Sequence, residues 1–231
     1  MIVRGLDGIP EVEEGADVAE LIYQSLMRAD MSLEPGDVLV VTQKIVSKSE
    51  GRLVDAPADP EARAEIVEQE AARILRRREG LLIAETRHGF VCANAGVDSS
   101  NVPGDKLCLL PVDPDASARG IRIRLQRLTG VEVGVIISDT FGRAWRIGQT
   151  DVAIGVAGIL PTVNYAGSKD QQGRTLNVTN IAVADEIAGA AELVMRKADG
   201  IPVALVRGSG AIPGRGSAKD LVRPAADDLF R

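Results

Sequence analysis

Apolar residues first recur at helical spacing between Asp17 and Arg28. Val18, Leu21, Ile22 and Leu26 share one face there, and Asp17 stands at the N-cap position. Pro35-Gly36-Asp37 marks a turn. The run Val38-Leu39-Val40-Val41 after it reads as a buried strand continuing toward Val46. Asp59-Pro60-Glu61 predicts a helix start, with a capping carboxylate, proline at the first helical position and an acid in the first turn. Its last turn is expected at Arg76-Arg77-Arg78 and its stop at Gly80. Leu81 to Glu85 and Gly89 to Ala93 read as short strands, and Asp113-Pro114-Asp115 opens another helix ending near Gly130. Val131 to Ser138 is the clearest strand and Asp151 to Ala157 a further one. Ala182 to Lys197 predicts a helix of small residues, and Pro202 to Val206 a last strand.

Strands and helices are mixed without the regular alternation of a doubly wound sheet. The expected class is therefore α+β, or mixed α/β. No linker-like change of composition divides the chain, so residues 1–231 are read as a single domain. With 231 residues, 45% hydrophobic, the chain can bury a large core without a disulfide or metal staple. The net charge of −6 argues against a nucleic-acid or anionic membrane surface, but permits a local basic pocket. No signal peptide or spanning segment is legible. Cys92 and Cys108 are too few for a disulfide scaffold, so a soluble cytoplasmic protein is expected.

Four stretches combine small residues, polar groups and an adjoining strand. In Thr42 to Gly51, an extended chain would put Lys44 and Lys48 on one face, suited either to a polyphosphate or to protecting a sheet edge. In Asn94 to Asn101, Asp98 could hold a hard cation and Asn101 a nucleotide, or the stretch could be an Asx-turn. Ser138 to Gly148 sets Asp139 and Thr140 after the strongest strand, with Arg143 and Arg146 available for phosphates; the alternative is a surface turn whose Trp145 packs on the core. Arg207 to Ser217 is a Gly-rich segment, either an anion cradle or a mobile loop, and it lacks the Walker A pattern. His88 is the only histidine and reads as a turn residue, so a histidine-rich zinc site is excluded. From the residues alone, Asp98, Asp139 and Thr140 around Mg²⁺ or Mn²⁺, with basic residues for phosphates, suggest phosphoryl-transfer or phosphate-ester chemistry.

Gly8-Ile9-Pro10-Glu11-Val12, Gly36-Asp37-Val38-Leu39-Val40-Val41, Ile45 to Gly51, Asn94 to Asn101, Val133 to Arg143, Ala184-Asp185-Glu186-Ile187-Ala188 and Asp199-Gly200-Ile201-Pro202 occur in an order that resembles the coenzyme F420:L-glutamate ligases. The resemblance implies two interlocked lobes with mixed sheets and a homodimer. It implies a GTP-dependent ligase that adds L-glutamate to the coenzyme F420 precursor through an acyl phosphate, then adds further γ-linked glutamate. It places Ile9, Pro10, Glu11, Val12, Gln43, Lys48 and Asn101 on GTP, and Asp98, Asp139 and Thr140 on two divalent ions, Mg²⁺ or Mn²⁺, with K⁺ as a further candidate. Asp98 and Asp139 are then the catalytic pair. The glutamate that some members carry before Asp199 is absent, where this chain reads Met195-Arg196-Lys197-Ala198. No C-terminal nitroreductase-like domain is expected. The Gly208 to Gly216 segment is the candidate moving loop. The rival readings are a metal-dependent phosphohydrolase using the same aspartates, and a nucleotide-sensing module without turnover.

Overall fold

The computed structural model describes residues 1–229. In chain order the elements are β1 (Ile2–Leu6), α1 (Val18–Arg28), β2 (Val38–Thr42), α2 (Gln43–Ser49), β3 (Leu53–Asp55), α3 (Pro60–Glu70), β4 (Ala71–Arg78), β5 (Leu81–Thr86), β6 (Val91–Ala93), β7 (Lys106–Cys108), α4 (Pro114–Thr129), β8 (Gly134–Arg143), β9 (Arg146–Ala157), β10 (Val163–Asn164), β11 (Asn180–Ile181), α5 (Val183–Met195) and β12 (Val203–Arg207). The fold is α+β, as the mixed pattern predicts. A five-stranded sheet runs β1-β12-β2-β8-β9, parallel only between β2 and β8. The stretch from β3 to β7 leaves this sheet and builds smaller ones, β4-β5-β6 and β3-β7, before α4 returns to it.

The main core lies between the five-stranded sheet and the helices packed on it. Val38, Leu39, Val40 and Val41 of β2 and Val135, Ile136 and Ile137 of β8 are fully buried, as expected for strands covered on both faces. The helix starts follow their local signals. Asp17, Asp59 and Asp113 each accept a backbone N–H of the first turn, at 3.0, 3.2 and 2.9 Å. Helix α4 packs directly on the backbone of β9. A Cβ at Gly155 would lie 2.4 Å from the Pro114 carbonyl oxygen, so only glycine permits this approach. Val152 to Leu160 is mostly core within the chain: Ala153, Ile154, Val156, Ala157 and Ile159 are buried.

Four expectations are corrected. The strand expected to continue toward Val46 ends at Thr42, and Gln43 to Ser49 form a helix, because the buried Ile45, Val46 and Ser47 pack against β2 and β8. Lys44 and Lys48 still share a face, by the i, i+4 spacing of a helix rather than the alternation of a strand. The helix from Pro60 stops at Glu70, and the arginine-rich end is β4. Its pairing with β5 is supported by Arg73–Glu85 at 3.0 Å and by Ile74 packing on a small core of Val67, Leu82, Ala84 and Ala95. Gly80 therefore sits in the β4–β5 turn. The strand expected to end at Ser138 runs on to Arg143, so Asp139 and Thr140 lie within β8 and not after it.

The Gly208 to Gly216 segment is laced down. Gly214 and Gly216 donate to the carbonyls of Gly158 and Ile159, both at 3.1 Å, and Leu160 donates to Ile212 at 2.8 Å. A Cβ at Gly216 would stand 2.3 Å from the Ile159 oxygen and one at Gly214 2.5 Å from Leu160, so these two glycines serve close chain approach.

Candidate active site

Strand β9 carries an extra residue opposite β8. Ile137 pairs with Gly155 while Ser138 pairs with Ala153, leaving Ile154 as a bulge. The Asp185 carboxylate on α5 takes the Ala153 N–H at 2.9 Å. A bulge re-aims the side chains beyond it. Beyond it, Ser138 and Thr140 present hydroxyls to one partner. They donate to the two oxygens of the buried Asp151 carboxylate, at 2.8 and 2.5 Å. Lys197 completes this cluster. Its ammonium donates to Thr140 Oγ1 and stands 3.3 Å from Asp151 Oδ1 and 3.5 Å from Glu192 Oε2.

By strand alternation Asp139 points away from Ser138 and Thr140. Asp98 and Lys44 lie within its electrostatic reach. The Lys44 ammonium is already committed to Asp98 Oδ2 at 2.7 Å and to Ser100 Oγ at 2.5 Å. Asp98 also accepts the Ser100 N–H at 2.8 Å and the Ser100 hydroxyl at 2.7 Å. Burial pushes Asp98 up, but these hydrogen bonds and the lysine outweigh it and hold its carboxyl below the usual range. Asp139 has less help. Burial, with the charges of Asp151 and Asp98 adding to it, pushes its carboxyl up to about 7 against a backbone hydrogen bond from Thr140 and the more distant Lys44. Glu192 is raised for similar reasons, burial first and then Asp151, with Lys197 opposing.

A cleft of about 610 Å³ adjoins these groups. One wall is Ile9, Pro10, Glu11 and Val12; another is Thr42, Lys44, Ile45 and Lys48; Asn101 to Pro103, Asp151, Glu192 and Met195 to Ala198 close it. The Lys48 ammonium is nearly buried and ion-paired to Glu11. Asn101 donates to the Lys197 carbonyl at 3.2 Å. Six of the residues expected to contact a nucleotide, Ile9, Pro10, Glu11, Val12, Lys48 and Asn101, thus line one space. Gln43 does not. Its side chain is fully buried, accepts from the Ser47 hydroxyl at 2.8 Å and leaves Nε2 without a partner. No residue of Gly208 to Gly216 lines the cleft, so the structure gives that segment no part in closing it.

Among the described residues, no set of three or more histidine, cysteine, aspartate or glutamate side chains is arranged to hold a metal ion. The donor chemistry still differs between the two sides of β8. Asp139 is a desolvated carboxyl with no ion pair among the described residues, within electrostatic reach of Asp98, and a divalent cation would supply the counter-charge it lacks. Thr140 and Asp151 already hold an ammonium. Burial pushes the Cys92 thiol up to about 12 and raises that of Cys108, so neither is a nucleophile at neutral pH. His88, a turn residue as expected, stacks on Phe90 and meets the Pro111 oxygen at 2.9 Å, outside the cleft.

The sequence reading missed Asp151, Glu192 and Lys197. Asp151 lies in the middle of β9, just before its apolar half, and only its register opposite Thr140 makes it a site residue. Glu192 lies in the last turn of α5 and Lys197 just beyond it, and only the turn at Arg196 brings the two together.

The sequence profile of the F420-0:gamma-glutamyl ligase family matches residues 8–208. The coenzyme F420:L-glutamate ligase of Methanothermobacter thermautotrophicus is 43% identical, over 98% of this chain and 97% of that protein. The enzyme of the same name from Methanocaldococcus jannaschii is 42% identical, over 92% and 91% of the two chains. That of Archaeoglobus fulgidus is 40% identical, over 98% and 94%. With its cleft walls built from the same ordered stretches that carried the resemblance, this chain belongs to the F420-0:gamma-glutamyl ligase family.

Proposed function

We propose that the chain joins L-glutamate to the coenzyme F420 precursor at the expense of GTP, and then extends the product with γ-linked glutamate. The observation that carries this reading is the cleft itself. It brings six of the seven nucleotide-contact residues of the family resemblance onto one space beside the carboxylates of Asp151 and Glu192. A carboxylate does not acylate an amine at neutral pH, because it lacks a leaving group. Transfer of the γ-phosphoryl group of GTP to the terminal carboxylate of the precursor supplies one, giving an acyl phosphate and GDP. The α-amine of glutamate attacks the carbonyl carbon, the carbon–oxygen bond to phosphate breaks, and the amine loses its proton as the amide forms. In-line transfer needs positioning and charge compensation more than covalent help from the protein. Lys44 and Lys48 reach the phosphates from α2, Asn101 fixes the rim, and Ile9 to Val12 wall the nucleotide. A divalent ion, Mg²⁺ or Mn²⁺, held by Asp98 and Asp139 offsets phosphate charge when bound.

Phosphate release from GTP by the purified protein tests the reading. Release should require both the precursor and L-glutamate. Release with neither would mark a metal-dependent phosphohydrolase. Lys48→Ala should raise the KM for GTP by roughly 10- to 100-fold with a smaller change in kcat, the size of one charge-assisted hydrogen bond. A change confined to the KM for glutamate would contradict its placement.

The chain is further proposed to act as a homodimer. The β8–β9 ribbon carries Trp145 and Ile147 at its tip, 86% and 100% exposed, a pair of apolar side chains suited to burial against a second copy. Light scattering should return twice the 24.4 kDa of one chain; a single-chain mass would refute it.

A further inference from the structure

The two sides of β8 differ in how their carboxylates are compensated. Asp151 is buried, with 3% of its surface exposed, and a buried carboxylate is retained only with hydrogen bonds and a counter-charge. Its hydrogen bonds come from Ser138 and Thr140, and its counter-charge from Lys197, the only ammonium or guanidinium in ion-pair contact with it among the described residues. Glu192, a turn earlier on α5, faces the same ammonium. On the other side, Asp98 has Lys44, while Asp139 has a backbone hydrogen bond from Thr140 and no ion pair among the described residues.

The backbone turns sharply just before Lys197. Arg196, next to it, closes α5 with φ 51° and ψ 160°, a region that side-chain-bearing residues rarely occupy. The Lys197 ammonium that follows stands 3.5 Å from Glu192 of α5. Asn101 then holds the Lys197 carbonyl at 3.2 Å.

We propose that the ammonium of Lys197 is a built-in cation that takes the place of one divalent ion, so that the site binds a single metal, at Asp98 and Asp139, and none at Thr140. This rests on the metal-dependent reading above and revises the two-ion expectation for this chain. The ammonium satisfies Thr140, Asp151 and Glu192 together, so a second divalent ion there would find no carboxylate without a counter-charge, whereas an ion on the other side would meet Asp139, which no ammonium or guanidinium contacts among the described residues, and would need to displace Lys44 only from Asp98. Lys197 acts as a positioning residue. It keeps the Thr140–Asp151 pair fixed and the positive charge in place whether or not nucleotide is bound.

The test is Mn²⁺ stoichiometry by equilibrium dialysis at pH 8, with electron paramagnetic resonance as a second readout. Mn²⁺ alone is the probe. The unaltered chain should bind one Mn²⁺ with an uncoupled spectrum. Lys197→Met, folded by circular dichroism, should bind two, with line broadening from the neighbouring ions, while Lys197→Arg should remain at one. Two ions on the unaltered chain would overturn this inference and leave the ligase reading standing. One ion on both the unaltered chain and Lys197→Met would also overturn it, since the ammonium would then exclude nothing. No bound ion on any variant would overturn the metal assignment and the inference with it.

Discussion

Asp139→Asn is expected to cost nearly all ligase activity and to make the metal-free protein more stable. Both effects come from one fact, a carboxyl placed where its charge is disfavoured. Its folded-state value of about 7 lies above the ordinary 3.8, so the folded protein holds this proton more tightly than the unfolded chain. Stability from this group is therefore complete below pH 4 and is lost as pH rises through 7. Three units correspond to at most about 4 kcal/mol, at about 1.4 kcal/mol per unit. Asparagine removes the charge and keeps the shape. The melting temperature of the variant should match the parent at pH 4, rise above it between pH 4 and 7, and exceed it by a constant margin beyond. At about 2–4 °C per kcal/mol for a chain of this size, that margin is roughly 10 °C. The same variant should lose at least about 10³-fold in turnover, as expected when charge stabilisation at a phosphoryl-transfer site is removed. Parallel melting curves with no growth of the difference would show that Asp139 titrates like an ordinary carboxylate.

Asp115→Ala should do the reverse, with a large loss of stability and little loss of catalysis. Asp115 stands in the first turn of α4 and is almost fully buried. Its Oδ1 accepts the N–H of Val156 at 2.8 Å and of Ala218 at 3.0 Å, and its Oδ2 accepts the Ser217 hydroxyl at 2.5 Å. One carboxylate thus ties the helix, the central ribbon and the C-terminal segment together. Alanine leaves two buried N–H groups without partners, at about 1–3 kcal/mol each. The melting temperature should fall by roughly 10 °C. None of these residues lines the cleft, so kcat and the GTP KM at low temperature should stay within about twofold. A large rise in the GTP KM would instead restore the idea that the Gly208 to Gly216 segment closes over substrate.

The parts of this fold legible in the sequence were those decided locally. Three aspartates begin three helices because a cap needs only its own first turn, and Val131 to Ser138 reads as a strand on its side chains alone. Arg76 to Arg78 could not be read this way. Basic residues suit the end of a helix, and only pairing with β5 makes them a strand. Gln43 to Ser49 failed for the same reason: Ile45 and Val46 favour a strand locally, and packing against β2 and β8 overrides them. The site divides along the same line. Lys48, Asn101 and the Ile9 to Val12 stretch could be named from ordered motifs, whereas Asp151 depends on a cross-strand register and Lys197 on the turn made by Arg196. Glycine content misled at Gly214 and Gly216, where small size serves contact with Gly158 to Leu160.

The most direct measurement is mass spectrometry of the coenzyme F420 precursor after incubation with the protein, GTP, Mn²⁺ and L-glutamate. The account predicts successive increments of one glutamate residue, each matched by one GDP and one phosphate, and none when GTP or glutamate is withheld. Precursor of unchanged mass while GTP is consumed would contradict it.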